Sequence, residues 1–321
     1  MKKRSLETNY RTTQVTINMS PNNQPPIRIS LRIKYFILNR LLTILYHMSK
    51  SVKNNSCAGI VFSKDRPLQL DGLLNSYNQF VKNKEPLYVL FTATTLEFEN
   101  AYNEVKHRHP HVAFIRENNF RNDLIRIVKM INTHKLFFLV DDILITKNFD
   151  LGAIVRVNTD YYIPSLRLGK NITYNFMKKR TIQQPKFSNY DYDDQLIQWK
   201  WIENNSYWSY PLSVDGHIFT RKEIEIALRL INFTAPNSLE WALQIFNNYF
   251  FKKLGCSFNN SVLVNFPWNK VQTENNNESG NITVEELLVL WNQGKRIDIE
   301  KYLTRNFNSA HVHSTLATKE G

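Results

Sequence analysis

From Cys57 to about residue 145, short apolar runs alternate with stretches in which apolar residues recur every three or four positions. Gly59-Ile60-Val61-Phe62 is the first run, and one so short and continuous predicts a buried strand. After the polar Ser63-Lys64-Asp65-Arg66-Pro67, Leu70, Leu73, Leu74 and Tyr77 fall at i, i+3, i+4 and i+7. That spacing predicts a helix, with Pro67 in the first turn, where its missing N–H costs nothing. The unit then repeats. Leu87 to Phe91 is read as a strand, residues 96–108 as a charged amphipathic helix, and His111 to Ile115 as a third strand. Leu124, Ile127, Val128 and Ile131 mark another helix, and Leu136 to Val140 a fourth strand, apolar throughout and so expected to be buried on both faces. Such alternation predicts an α/β chain with a Rossmann-like, mostly parallel sheet flanked by helices. Ligands of such sheets bind beyond the carboxyl ends of the strands.

The ends of the chain read differently. Residues 1–26 are polar, contain Pro21, Pro25 and Pro26, show no apolar periodicity, and are expected to be a disordered basic tail. Within residues 27–55, Phe36, Ile37, Leu41, Ile44 and Leu45 fall at helical spacing, but Lys34, Asn39 and Arg40 interrupt the run. It falls short of the ~18 apolar residues of a spanning helix. Two readings stand side by side: an amphipathic helix lying on a membrane surface, or one packed on the neighbouring domain. Near the other end, residues 274–280 form an Asn-rich loop, Val284 to Trp291 a short helix stopped near Gly294, and residues 314–321 a tail. The organisation expected is one folded region over 56–313, with a nucleotide-binding half (56–150) and an acceptor half (151–313).

Charge sharpens this division. The net charge is +13, yet residues 1–55 carry ten Lys or Arg against the single Glu7, so +9 sits in the first sixth of the chain. A basic tail of that kind suits an anionic membrane surface or nucleic acid, and a non-enzymatic basic nucleic-acid-binding protein stands as an alternative reading. That distribution counts against nucleic-acid binding by the folded region, where basic residues interleaved with aromatics belong on the folded face. Cys57 and Cys256 are the only cysteines, which excludes a disulfide framework and a Cys-based zinc site. The expected location is the cytoplasm, with peripheral contact at the inner membrane face.

Asp141-Asp142 follows the fourth strand directly. Adjacent anions resist burial unless a cation neutralises them, and Mn²⁺ or Mg²⁺, with its preference for hard oxygen ligands and substrate phosphates, does so. Asn118-Asn119-Phe120-Arg121-Asn122-Asp123 follows the third strand, which puts Asn119, Arg121 and Asp123 within expected reach of a nucleotide, Arg121 at a phosphate; Arg121 and Asp123 read equally well as helix-start residues. Ser63, Arg66 and Thr92 close the other two strands and are candidates for base and ribose.

Val61-Phe62-Ser63-Lys64-Asp65-Arg66-Pro67 resembles the first strand and nucleotide loop of GT-A-type, family 2-like glycosyltransferases. Phe138-Leu139-Val140-Asp141-Asp142 is similar to their acidic metal motif, often written DxD, though here it reads Val-Asp-Asp. Val214 to Phe219 resembles their acceptor-side segment, Pro236 to Glu240 the acidic segment opening a later helix, and Asn308 to His311 the segment that supplies a histidine ligand. The resemblance implies a GT-A fold and a metal-dependent transfer from a UDP- or GDP-sugar to a saccharide or glycolipid acceptor. It further implies Asp142 as direct metal ligand, Asp141 as ribose or water-mediated partner, and His311 as second ligand, with His313 its competitor.

An acceptor hydroxyl needs a carboxylate in hydrogen-bond reach. Glu240 is the candidate base and Asp215, beside the permissive Gly216, the candidate acceptor contact; capping with Asn237 is the competing duty for Glu240. Tyr207-Trp208-Ser209-Tyr210 is a candidate cleft wall, and Trp199 and Trp201 a candidate pair on one strand face. A nucleotidyltransferase that makes sugar nucleotides would share the sheet and the metal. It would be expected to carry a Gly-rich loop after the first strand, and Ser63 to Pro67 has no glycine.

Overall fold

The computed structural model describes residues 31–49, 54–204, 206–269, 280, 282–303 and 305–321. The expectations for residues 1–26 and for most of the Asn-rich loop lie outside them.

The alternating repeats fold as strand and helix. In chain order the first elements are α1 (Leu31–Met48), β1 (Cys57–Lys64), α2 (Pro67–Phe80), β2 (Leu87–Thr92), α3 (Leu96–Arg108), β3 (Ala113–Arg116), α4 (Phe120–Met130) and β4 (Lys135–Val140). The third strand starts two residues later than its apolar pattern predicts, because the backbone N–H of Val112 is held by the carbonyl of His109 in the turn before it. The central sheet has the order β9–β4–β1–β2–β3, where β9 is Ile218–Thr220. Its first four repeats pair in parallel and β9 joins β4 antiparallel, so the sheet is mostly parallel and flanked by helices.

Side-chain alternation splits the apolar residues between two cores. Val61, Val89 and Leu139 face α2, α3 and the helix Val284–Asn292, whereas Ile60, Phe62, Leu90 and Phe138 face α4 and the helix Arg221–Leu230. Register follows from this two-sided burial, since a one-residue slip would exchange the faces. Gly59 permits it: a Cβ there would lie 2.4 Å from Leu87 Cδ2 and 2.6 Å from the Phe137 ring. With Ile60 opposite Phe138 and Phe62 opposite Val140, the strand ends of β1 and β4 are level, and Ser63 comes to lie beside Asp141.

The chain beyond residue 150 adds a second sheet, β7–β8–β10–β6, from β6 (Tyr162–Ser165), β7 (Phe187–Tyr190), β8 (Asp193–Trp199) and β10 (Leu254–Phe258). A hairpin-like pair, β5 (Ile143–Ile145) with β11 (Leu263–Asn265), continues from the end of β4. Trp201 lies beyond the end of β8, so it and Trp199 share no strand face; their buried rings meet edge to face 5.5 Å apart in the core. In the acidic Asp191 to Asp194 run, Asp191 and Asp194 are exposed.

α1 packs on the helix Arg221–Leu230 and on the turns that follow residue 243. Asn39 Nδ2 donates to the carbonyl of Ile245 at 2.7 Å and Asn39 Oδ1 accepts from the N–H of Tyr249 at 3.1 Å, while Leu42 is fully buried. Among the described residues no helix is long and apolar enough to cross a membrane.

Candidate active site

Asp141 and Asp142 form the two-residue turn between β4 and β5, yet they are buried, 3% and 8% exposed. β4 is a central strand, so its end opens into the protein and not at an edge. The N–H of Asp141 continues the ladder to the carbonyl of Phe62, and the N–H of Phe266 takes the carbonyl of Asp142 at 2.8 Å. The turn is therefore clamped on both sides.

The carboxylates are held by neighbours on three elements. Ser63 Oγ donates to Asp141 Oδ2 at 2.9 Å and accepts from Tyr102, whose oxygen in turn accepts the Arg66 N–H. Arg66 places one guanidinium nitrogen between the pair, 2.9 Å from Asp141 Oδ1 and 3.1 Å from Asp142 Oδ2. Its second nitrogen donates to the carbonyl of Asn269. Asn265 Nδ2 donates to Asp142 Oδ1 at 2.9 Å. Burial, against which Arg66 works, pushes the Asp142 carboxyl up to about 7, with Asp141 and Asp215 adding repulsion.

The pair opens on a cleft of about 670 Å³. Across it stand Arg167, Asp215, Glu240 and His311. Gly216, at φ +77°, makes the bend that points Asp215 inward; its N–H donates to the carbonyl of Phe138, and a Cβ would strike Leu263 Cδ2 at 2.6 Å. Arg167 donates to Ser213 Oγ and, at 3.1 Å, to Asp215 Oδ2, with Tyr207 beneath its guanidinium. Glu240 Oε1 accepts from Ser213 Oγ at 2.9 Å and from the Val214 N–H at 3.0 Å. Burial and the charge of Asp215 push the Glu240 carboxyl up to about 7, against Arg167 and these two donors. Burial likewise raises Asp215, and Arg167 opposes it.

Glu240 has no capping role here: Ala235 holds the N-cap position of the helix Pro236–Leu243, and Ser238 Oγ accepts its N–H.

His311 arrives from the far end of the chain. Asn265 accepts it as a one-residue parallel bridge beside β11, with the N–H of Asn265 on Ala310 and that of Val312 on Asn265. Its Nε2 lies 3.7 Å from Asp215 Oδ2 and its Nδ1 3.2 Å from the Tyr207 hydroxyl. Burial and Arg167 push the ring down to about 3, so it is neutral near pH 7. The tautomer that donates from Nδ1 to Tyr207 leaves Nε2 as an electron-pair donor. His313 does not line the cleft; it stacks on Phe176 with planes 10° apart.

Ser63, Arg66, Thr92, Asp141, Asp142, Asp215, Glu240 and His311 thus share one cleft. Three expected residues do not join them. Asn119 caps α4 through the Asn122 N–H, and Asp123 accepts the N–H groups of Asn118 and Asn119 at 2.7 and 2.8 Å. Arg121 donates to the carbonyls of Ile231, Leu228 and Arg229, where the helix Arg221–Leu230 ends. The free polar groups of two helix ends claim these side chains. Tyr207, Ser209 and Tyr210 line the cleft, but Trp208 is fully buried beside Trp199.

Four residues carry no signal in the sequence that would single them out: Arg167, Asn265, Asn269 and Glu117. They reach the site by long-range pairing or from loop ends. Glu117 follows β3, with its N–H on the carbonyl of Phe91.

A divalent ion fits the Asp141–Asp142 turn in one respect and not in another. Two hard carboxylates suit an ion that takes its other ligands from substrate phosphates and water, but Arg66, bonded to one oxygen of each, already supplies neutralising charge and repels a second cation. No group of three His, Cys, Asp or Glu able to enclose a metal occurs among the described residues. The site is an open one, shared with Arg66.

No family model matches the chain. The bifunctional glycosyltransferase pgtA of Dictyostelium discoideum is 28% identical to it over 302 residues, covering 81% of this chain and 39% of that protein. The chain thus spans well under half the length of this curated relative. Among solved structures, residues 1–349 of S. aureus TarS align with a TM-score of 0.41 at 16% identity, over 65% of this chain and 59% of that one. The mannosyltransferase PcManGT from Pyrobaculum calidifontis, solved with GDP-Man and Mn²⁺, aligns with a TM-score of 0.30 at 13% identity, over 44% and 46%. A nucleotidyl transferase from Methanothermobacter thermautotroptrophicus aligns with a TM-score of 0.35 at 10% identity, over 64% of this chain and 88% of that one.

Proposed function

We propose that this chain is a GT-A-type glycosyltransferase that moves a sugar from a UDP- or GDP-sugar to a saccharide or glycolipid hydroxyl. The observation that carries the reading is the pairing, across one cleft, of a buried Asp–Asp turn at a central strand end with a second carboxylate group, Asp215 and Glu240. The similarity to a glycosyltransferase over four-fifths of the chain supports it.

In this reading the nucleotide lies along the ends of β1 and β2, where Ser63, Thr92 and Glu117 offer hydrogen-bonding groups to base and ribose. Asp142, with Asp141, would hold Mn²⁺ or Mg²⁺, and His311 Nε2 is placed on the same cleft as a further donor. The ion, when bound, would supply charge stabilisation to the departing diphosphate. Arg66 is at hand for the same negative charge, since one guanidinium already faces both carboxylates. On the opposite wall Glu240 takes the proton of the acceptor hydroxyl as that oxygen bonds to the sugar carbon and the bond to the diphosphate breaks. A carboxyl with its midpoint near 7 is well matched to this duty. Asp215 accepts from a second acceptor hydroxyl, and Arg167 keeps the two carboxylates from repelling one another out of the cleft.

The full chain, incubated with UDP- and GDP-sugars and Mn²⁺, should release nucleoside diphosphate from at least one donor, and Glu240→Gln should lower transfer by about 10²–10⁴-fold. Silence across a broad donor panel with varied saccharide acceptors would sink the proposal.

A further inference from the structure

α1 is oriented in an unusual way for a helix of a folded domain. The face that docks is the hydrogen-bonding one: Asn39 is clamped between Ile245 and Tyr249, and the Tyr46 hydroxyl donates to Asp160 Oδ1 at 2.5 Å, with Leu42 as the fully buried apolar contact. The apolar face points away. Ile33, Ile37, Leu41, Ile44 and Met48 follow one another at steps of four, four, three and four, a single stripe along the helix, and are 38–75% exposed. Phe36, on the flank of the stripe, is 63% exposed. Folding normally buries such a stripe and exposes the polar face. Contiguous exposed apolar surface of this extent marks an interaction site.

Charge decides what covers it. α1 contains no acid, and Arg32, Lys34 and Arg40 lie along it; Arg40 sits over the Phe36 ring. Residues 1–30 add five Lys or Arg against one Glu. A second copy docking by the same stripe would bring these cations against their equivalents, which disfavours self-association. An anionic lipid surface offers the opposite sign together with an apolar layer. Eighteen residues span about 27 Å, enough to lie along that surface.

We infer that α1 is an interfacial helix that seats the protein on an anionic bilayer, its Asn39–Tyr46 face fixed to the domain and its Ile33–Met48 stripe among the acyl chains. The inference does not depend on the chemistry proposed for the cleft, and its test needs no donor or acceptor. The full chain is sedimented with vesicles of neutral phosphatidylcholine and with vesicles containing about one-third phosphatidylglycerol, the length and charge of the helix favouring the second. The expected result is capture by the anionic vesicles, weakened at least tenfold by Phe36→Asp with Ile44→Asp and also by Lys34→Glu with Arg40→Glu, at unchanged melting temperature. Equal capture of the Phe36→Asp/Ile44→Asp variant would assign binding to the basic tail alone and overturn the inference. So would absence of capture, a dimer in light scattering that this variant dissolves, or a drop in its melting temperature, which would show the stripe covered by the chain itself.

Discussion

Among the described residues, Arg66 is the only cationic side chain bonded to the Asp141–Asp142 turn, and replacing it with methionine keeps the bulk while removing the charge. Its guanidinium meets both carboxylates and the Asn269 carbonyl, and its side chain is 12% exposed. Losing one partner of a buried ion pair costs about 3–5 kcal/mol, because the remaining charge stays in a place that cannot solvate it. In a folded region of this size about 1 kcal/mol corresponds to a 2–4 °C shift, so the melting temperature should fall by roughly 6–20 °C. The partial exposure of Arg66 favours the lower end. A double-mutant cycle isolates the cause. In an Asp142→Asn background one anion is gone, and Arg66→Met should cost less by at least about 1 kcal/mol. Mn²⁺ should recover part of the stability lost in Arg66→Met alone, and little in the double variant that also carries Asp142→Asn. The assay is thermal unfolding of four proteins with EDTA and with Mn²⁺. If Arg66→Met melts within about 2 °C of the parent, or costs the same in both backgrounds, the argument that Arg66 neutralises this turn is wrong.

Three further outcomes follow from the same geometry. With Glu240 as base, transfer should fall as pH drops through about 7, where the carboxylate takes up a proton; a pH–rate profile without an acid limb in that region counts against the assignment. Arg167 opposes the upward shift of Glu240, so Arg167→Met should move that limb to higher pH; a limb moving down, or not at all, would contradict the proposed electrostatics. Gly59→Val should destabilise by more than the about 1–3 kcal/mol usual for overpacking, since even a Cβ meets Leu87 at 2.4 Å, and denaturant titration measures it.

Much of the architecture was legible because the chemistry of the first repeats is local. The apolar runs ending at Phe62, Phe91 and Val140 read as strands, the last as one buried on two faces, and Pro67 with Leu70, Leu73 and Leu74 read as the start of a helix, as the structure has them. The register that sets Phe62 opposite Val140, and so Ser63 beside Asp141, is a pairing across more than 70 residues and was not legible in the pattern. Asp215, Glu240 and His311 depend on pairings across the chain, and their place on one cleft came from the resemblance of their motifs, not from periodicity. Arg167 shows the limit. It lies just beyond a four-residue strand, with no neighbouring motif, and gains its meaning only when Gly216 folds Asp215 against it. Arg121 shows the converse: a cation at a helix start looked like a phosphate ligand until the end of a second helix came to rest on it. For α1, spacing gave the helix but not which face docks, because Asn39 and Tyr46 find their partners 206 and 114 residues away.

The central claim is that Asp141–Asp142 forms the metal-dependent nucleotide end of a transfer cleft whose other end is Glu240. Thermal unfolding with UDP and GDP, each with and without Mn²⁺, tests it most directly. At a hundred times Kd a nucleotide stabilises by about 2.7 kcal/mol, roughly 5–11 °C for a domain of this size. A shift of that order is predicted for at least one nucleotide, only with Mn²⁺, absent in Asp142→Ala and retained in Glu240→Gln. A shift that ignores both Mn²⁺ and Asp142, or no shift with either nucleotide, would contradict the account.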